Sequence, residues 1–346
     1  MTETTMKAVL WDGPDRLRVA SVPRPSPADG ESLVQIEFTG LCGTDFSILH
    51  GSHPRATAPL IMGHEIVGRV IDSGDERLRD RRVAVLPLLS CGTCTPCRAG
   101  HTHVCERLGL YGIDAPGGLA EFAVFPDDRL FPLDDGVSAT VAALVEPLAV
   151  AVHAVSRSGL AGGETVAVFG AGPIGVLTAL VARHRGAEKV VVVEPSPERR
   201  TVAEQLGLPT LPASETAADD VRARLGGGAE IVFDTAAHPS VALRLPRAAA
   251  VRGTIVLVGV YKQPTPFDLQ AVTFAEQSTV GVRVYTTDDF REAVELIRSD
   301  ALGLARIPVA IFGLDGAADA FDAATSAGAA LKVLVGAASM DADGTR

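Results

Sequence analysis

Cys91, Cys94 and Cys97 repeat at three-residue intervals, and Cys105 follows in the same loop, "CGTCTPCRAGHTHVC". Four thiolates on one short loop fill the tetrahedral shell of a zinc ion and leave no position for water or substrate, so this spacing predicts a structural zinc site. An iron–sulfur cluster would call for a different fourth spacing or a second cysteine set. His101 and His103 lie inside the loop and are expected to face solvent, because the sulfurs already saturate the ion. The fifth cysteine, Cys42 in "GLCGTD", is left over. Elsewhere His64 and Glu65 stand side by side in "LIMGHEIVG", between Gly63 and Gly68, and Glu146 interrupts the apolar stretch "LVEPLAVAVHAV". One thiolate, one imidazole and one carboxylate leave a zinc ion with room for an exchangeable ligand, which catalysis requires. Cys42, His64 and either Glu65 or Glu146 would make that set. A buried Glu146 also needs a cation or donors to offset its desolvation.

A second chemistry is written around Gly170, Gly172 and Gly175. They form GxGxxG in "TVAVFGAGPIGVLTALVARHRG", after a run that reads as a buried strand and at the start of one that reads as a helix. The glycines serve a tight turn, close approach to a pyrophosphate, and helix-on-strand packing, and the helix start at Pro173 and Ile174 offers free amides to phosphate. At the end of the next strand Glu194 can accept hydrogen bonds from the adenosine ribose hydroxyls. It would repel a 2′-phosphate, which favours NAD over NADP. Arg199 either stacks on the adenine face or, with Arg200, offsets that repulsion and keeps NADP open.

The elements that must position these groups change character along the chain. To about residue 150 the pattern is of short β-rich runs such as "SLVQIEFTG" and "EIVGRVIDSG", punctuated by Gly and Pro. From about 163, buried strands ("TVAVF", "KVVVVE", "EIVFDTA", "GTIVLVGV", "STVGVRV") alternate with helical stretches, including one expected around 242–250, which implies a doubly wound parallel sheet. A helix "DDFREAVELIRSD" and a strand "LKVLVG" follow, and the tail "ASMDADGTR" is expected to fray.

With 346 residues the chain is long enough for two domains, and 47% hydrophobic against 21% charged residues excludes a disordered protein. A net charge of -11 with no basic stripe makes nucleic acid an unfitting partner. No apolar run reaches membrane-spanning length and the first ten residues lack a signal pattern, so a cytoplasmic location is expected, in line with an odd cysteine count that does not suit a disulfide framework. Few aromatics, 5%, argue mildly against a deep aromatic pocket.

"CGTD" at 42–45, "GHE" at 63–65, the four-cysteine loop at 91–105, "VEPLAV" at 145–150 and "GAGPIG" at 170–175 together resemble the zinc-dependent medium-chain alcohol dehydrogenases. The resemblance covers nearly the whole chain in order, and is nearest to the polyol, butanediol and threonine dehydrogenase branch, because Glu146 stands where classical alcohol dehydrogenases carry a cysteine ligand. It implies an α/β protein. A GroES-like catalytic domain would comprise residues 1–150, with the structural zinc lobe at 90–106, completed by a return segment at 286–346. A Rossmann domain would occupy 151–285.

The resemblance also implies one catalytic and one structural zinc. Glu65 becomes a ligand or exchange partner, and Thr44 the hydroxyl that takes the substrate proton. Many relatives have a relay histidine where this chain has Ser47, so the proton would pass through Ser47 and water, or through His50 or His53. His153 is expected to pack on the helix after Glu146, His184 to sit on a helix face, and His238 to lie near the cofactor. "STVGVRV" resembles the edge strand that joins two Rossmann sheets, which implies a homodimer or homotetramer. The expected activity is NAD-linked oxidation of a small-molecule secondary alcohol with neighbouring hydroxyl or amine groups: a polyol, vicinal diol, threonine or cyclitol. The alternatives are an NADPH-linked ketoreductase acting on a ketone, and a nucleotide-binding protein without catalysis. Two zinc ions per chain would speak against the last.

Overall fold

The computed structural model describes residues 4–325 and 330–337; the expected fraying at 338–346 lies outside the described residues. The first part of the chain runs β1 (Thr5–Trp11), β2 (Leu17–Pro23), β3 (Glu31–Gly40), α1 (Gly43–Leu49), β4 (Leu60–Ile61), β5 (Glu65–Ser73), β6 (Arg82–Val85), β7 (Leu88–Leu89), α2 (Thr95–Arg98), β8 (Gly109–Leu110), β9 (Phe122–Pro126), β10 (Leu130–Leu133), α3 (Ala139–Ala142) and α4 (Val145–Ser158). Here β2, β1 and β4 make a three-stranded sheet, β7 and β8 a two-stranded one under the cysteine loop, and β10, β6, β5 and β3 the start of a larger sheet. The strand β3 is the hub: seven of its ten residues are buried, and it pairs antiparallel with both β5 and β9.

A six-stranded parallel sheet follows, built from β11 (Thr165–Phe169), α5 (Pro173–His184), β12 (Lys189–Glu194), α6 (Pro197–Gln205), β13 (Thr210–Pro212), α7 (Ala217–Leu225), β14 (Ala229–Asp234), α8 (Pro239–Ala242), α9 (Leu245–Ala248), β15 (Ala249–Leu257), α10 (Leu269–Phe274) and β16 (Ser278–Gly281). Its strand order is β13-β12-β11-β14-β15-β16, which reverses direction beside β11, the crevice where such sheets bind dinucleotides. Helices on both faces explain the apolar strands. On β11, Val166 and Val168 enter one core while Ala167 and Phe169 enter the other.

The helix expected around 242–250 stops at Ala248. Ala249 instead pairs with Ala229 of β14, so β15 begins earlier than "GTIVLVGV" suggests and ends at Leu257, after which the Val258 and Gly259 amides donate to the Asp234 carbonyl. Helix propensity lost to a ladder partner that only the folded sheet supplies.

After β16 the chain continues through α11 (Thr287–Arg298), β17 (Val309–Gly313), α12 (Ala317–Thr325) and β18 (Lys332–Gly336). It returns to the N-terminal sheet: β18 pairs antiparallel with β3, placing Leu334 opposite Gly40, and β17 closes the edge. No helix among the described residues is long and apolar enough to cross a membrane.

Candidate active site

Three strand ends meet at one point. Gly40 closes β3, Glu65 opens β5 directly opposite it, and Lys332 opens β18 two residues before the partner of Gly40. Cys42 follows β3 as the N-cap of α1, and His64 precedes β5. This register brings ligand atoms of Cys42, His64 and Glu65 within 4.8 Å of one another. Glycine is required here for space: a Cβ on Gly40 would lie 2.0 Å from the Glu65 carboxylate, and Gly63, at φ +90°, would press a Cβ to 2.4 Å from Thr39. Gly68 does not border the site. Its close approach is to the β3 backbone, where a Cβ would meet the Gln35 carbonyl at 2.3 Å.

The pocket is short of positive charge. Asp45, fully buried, accepts the Cys42 amide at 2.9 Å through one oxygen, and its other oxygen faces His64 Nδ1 at 3.8 Å. Neither of those two facing atoms has a hydrogen-bond partner. An imidazole whose Nδ1 proton turns toward a carboxylate presents Nε2 to a metal, the usual orienting arrangement behind a ligating histidine. Burial pushes the His64 pKa down, but Asp45, Cys42 and Glu146 pull it well above the ordinary value. Burial pushes Glu146 up to about 7. A buried group of thiol, imidazole and carboxylates that strains to gather protons is a donor set suited to a dication, so the residues fit zinc.

Glu146, on the first turn of α4, lies outside the ligating trio, although it is near enough to feel His64 and Glu65. Its Oε1 accepts a hydrogen bond from the Tyr285 hydroxyl at 2.7 Å. Glu65 is ion-paired with Lys332, whose ammonium also donates to the Leu41 carbonyl at 2.8 Å. Burial opposes the Lys332 charge, yet Glu65 and Cys42 raise its pKa. Neither Tyr285 nor Lys332 was among the sequence candidates. The available signal for Lys332 was its rarity and setting, one of four lysines, lodged in an apolar strand.

Thr44 stands half-buried on the first turn of α1, and its hydroxyl makes no hydrogen bond among the described residues. The Ser47 hydroxyl donates to the Gly43 carbonyl at 3.4 Å. Of the two nearby histidines, His50 is exposed and paired with Asp15 at 2.7 Å, away from the trio. His53 lies within reach of the His64 and Asp45 charges, and burial followed by Arg55 lowers its pKa. Its Nδ1 accepts from the Arg55 and Ala56 amides at 3.4 and 3.3 Å, leaving Nε2 to carry the proton.

Cys91, Cys94, Cys97 and Cys105 present four sulfurs within 4.8 Å of one another. The Thr93 hydroxyl and nearby amides hold the Cys91 thiol down at about 4, while burial pushes Cys97 up to about 12. Four thiolates gathered so closely need a cation between them, and zinc fits. His101 is exposed as expected, but His103 is half-buried. Its ring packs edge-on against His153 at 5.0 Å with Nδ1 buried, because the loop folds down onto α4. His153 lies within α4 and bonds Asp289 at 2.8 Å.

In the nucleotide crevice, Gly170 sits at φ +107°, and a Cβ on Gly175 would lie 2.0 Å from the Gly170 carbonyl oxygen. Gly172, the N-cap of α5, meets nothing within 4 Å, so the protein itself does not demand glycine there, and the open space leaves room for a phosphate group to approach the helix start. Pro173 and Ile174 open the helix. Glu194 bridges the crevice, accepting the Ala171 amide at 2.7 Å and the Ser196 amide at 3.0 Å. Arg200 is pinned to the Glu194 and Pro195 carbonyls, whereas the Arg199 guanidinium has no hydrogen-bond partner among the described residues. His238 caps α8 through Ser240 and the exposed His184 ends α5.

Two family models match: the alcohol dehydrogenase GroES-like domain over residues 28–135 and the zinc-binding dehydrogenase over 173–299. L-galactonate-5-dehydrogenase of Escherichia coli K12 is 35% identical over 300 residues, covering 85% of this chain and 88% of its own. The chain belongs to the zinc-type alcohol dehydrogenases. Among solved structures, a zinc-binding dehydrogenase from Sinorhizobium meliloti bound to NADP superposes with a TM-score of 0.90 at 31% identity, covering 96% of this chain and 100% of that one. The RspB alcohol dehydrogenase of Escherichia coli with NADH gives 0.89 at 28%, covering 96% and 99%. This zinc-type alcohol dehydrogenase therefore combines a GroES-like β-rich unit with a parallel Rossmann sheet, and the resemblance of its motifs to the family is borne out.

Proposed function

We propose that this dehydrogenase transfers hydride between NAD and a secondary alcohol carbon flanked by hydroxyl groups, as in a polyol, a vicinal diol or a sugar acid. The observation that carries the reading is the convergence of Cys42, His64 and Glu65, with ligand atoms within 4.8 Å, at the ends of two paired strands. Cys42, His64 and Glu65 would hold zinc, which would supply Lewis-acid polarisation of the alcohol oxygen. The unpaired Thr44 hydroxyl, two residues after Cys42, is the group that takes the substrate proton. Ser47, whose hydroxyl oxygen can still accept, is the next group toward solvent; His53, with its proton on Nε2 and its Nδ1 turned to the Arg55 and Ala56 amides, has no free acceptor for it. Substrate and nicotinamide are held in one orientation between the two sheets, away from bulk water. The similarity to L-galactonate-5-dehydrogenase supports a polyhydroxylated substrate.

Glu194 supports NAD. The specific observation on the other side is the unpaired Arg199, which suits an NADPH-linked ketoreductase, and a structural relative holds NADP. Residues 1–150 with 286–346 would form the catalytic unit and 151–285 the nucleotide unit. A homodimer or homotetramer is supported by the edge position of β16 among the described residues, together with the exposed Phe274 and Val260, at 82% and 86%. Unpaired cysteines, with no disulfide among the described residues, suit a reducing cytoplasm.

Initial rates of NADH and NADPH formation across polyols, vicinal diols, threonine, cyclitols and sugar acids, with and without a chelator, test the reading. Chelator-sensitive NAD reduction by one of these classes is expected. Two bound zinc ions with no turnover of any of them in either direction would overturn it.

A further inference from the structure

Tyr285 has no part in the chemistry described so far, yet it is fully buried and spends its hydroxyl on a carboxylate beside the metal trio. It reaches that position by a strained route. Val284, immediately before it, has φ +43°, a left-handed conformation that a β-branched residue avoids. Such strain persists only where surrounding contacts impose it. The contacts are visible on both sides of the crossing from β16 to α11. Tyr285 bonds Glu146 on the first turn of α4. Asp289, four residues later, bonds His153 two turns further along the same helix at 2.8 Å and also accepts the Thr286 amide at 2.9 Å. Two buried polar ties thus lock this segment onto α4 and aim the phenol inward.

Glu146 is held by one oxygen only. Its Oε1 takes the phenol, and Oε2 makes no hydrogen bond among the described residues. Within the pocket, a dication held by Cys42, His64 and Glu65 would be the strongest attraction for that carboxylate, and its capture would close the position a substrate oxygen needs. Groups behind the ligands typically change metal affinity about 10- to 100-fold, the scale expected for a hydrogen bond to a charged carboxylate.

We propose that Tyr285 is a positioning residue that tethers Glu146 away from the metal and so keeps the fourth coordination position open. This rests on the reading of the Cys42 trio as the catalytic zinc site. The test uses the whole chain with Co2+ at that site, in wild type, Tyr285→Phe, Glu146→Gln and the double variant, with zinc at the four-cysteine loop as an internal control of folding. Phenylalanine keeps the ring and removes only the hydroxyl. Tyr285→Phe is expected to slow release of the metal to a chelator about tenfold or more, to change the visible cobalt absorption as a carboxylate oxygen replaces the exchangeable ligand, and to lower kcat more than it changes KM. The double variant is expected to match Glu146→Gln alone in release rate and spectrum. An unchanged spectrum and release rate in Tyr285→Phe, or a change that survives in the double variant, overturns the tether. A wild-type chain that takes no metal at the Cys42 trio overturns the catalytic-zinc reading and the tether with it.

Discussion

The two zinc-fitting regions of this dehydrogenase are built on opposite plans. The four-cysteine site comes from one stretch, Cys91 to Cys105, whose sulfurs are supported by amides of the same loop, including Thr93, Cys94 and Arg107. The Cys42 site is assembled from the ends of β3, β5 and β18 and the start of α4, with Lys332 reaching Leu41 across 291 residues of chain. The first site has four ligands and no vacancy to regulate. The second offers three donor atoms in reach of one ion, two carboxylates under separate restraint by Lys332 and Tyr285, and a buried Asp45 behind the histidine. A site that must exchange ligands needs partners that constrain it from several directions, and only distant segments can supply them.

The largest effect should come from breaking each site by one sulfur. Cys42→Ala is expected to leave one zinc per chain and a nearly unchanged melting temperature, while kcat/KM falls about a thousandfold or more, equivalent to the several kcal/mol that a Lewis-acid metal contributes. Cys94→Ala should also leave one zinc but lower the melting temperature sharply, because a closed structural site contributes folding energy. Metal analysis, thermal melts and initial rates on both variants would separate the plans. If both lost activity and stability equally, the distinction would fail.

Lys332→Met sharpens the comparison next. It leaves Glu65 as a buried carboxylate without its cation, which costs about 3–5 kcal/mol when one partner of a buried pair is removed. Denaturant melts of chelator-treated protein should show that loss. Lys332→Arg should recover much of it, and adding zinc should narrow the gap between variant and wild type, since the metal offers Glu65 another cation.

In the nucleotide crevice, Glu194→Ala removes a carboxylate expected to receive the ribose hydroxyls. Charged hydrogen bonds of about 1.5–3 kcal/mol convert to a roughly 10- to 100-fold rise in KM for NAD, with NADP gaining relative to NAD. Equal KM values for NAD in both proteins would assign Glu194 to loop support alone, through Ala171 and Ser196.

The smallest effect concerns the tie between α4 and α11. Burial pushes the Asp289 carboxyl up, but the His153 and Thr286 hydrogen bonds prevail and hold it down at about 2, below its ordinary 3.8. A depressed carboxylate stabilises the fold above its unfolded value and loses that contribution as pH falls through its folded value. Asp289→Asn should therefore be destabilised by about 1–2 kcal/mol at neutral pH, allowing for partial screening. The difference should shrink between about pH 4 and pH 2. A gap that stays constant over that window would place the effect in packing rather than charge.

Spacing alone carried the four-cysteine site, because a loop of that length holds its own ligand geometry. It also carried the GxGxxG turn, whose glycines answer to local φ and close approach, and the alternation of strand and helix that makes a parallel sheet. The leftover Cys42 and the His64–Glu65 pair were legible as metal chemistry from residue type. What the linear order could not decide was which glutamate joins them, since Glu65 and Glu146 are both plausible donors by type. Strand register favours Glu65, which opens β5 opposite Gly40, whereas Glu146 turns its Oε1 to Tyr285. Tyr285 and Lys332 carry no motif; Lys332 matters because β18 returns to pair with β3, and Tyr285 because the crossing from β16 to α11 packs on α4. Residue type and spacing thus determined the chemistry available. Tertiary structure alone decided which buried charges share a pocket, because desolvation and ion pairing depend on distance in space rather than along the chain.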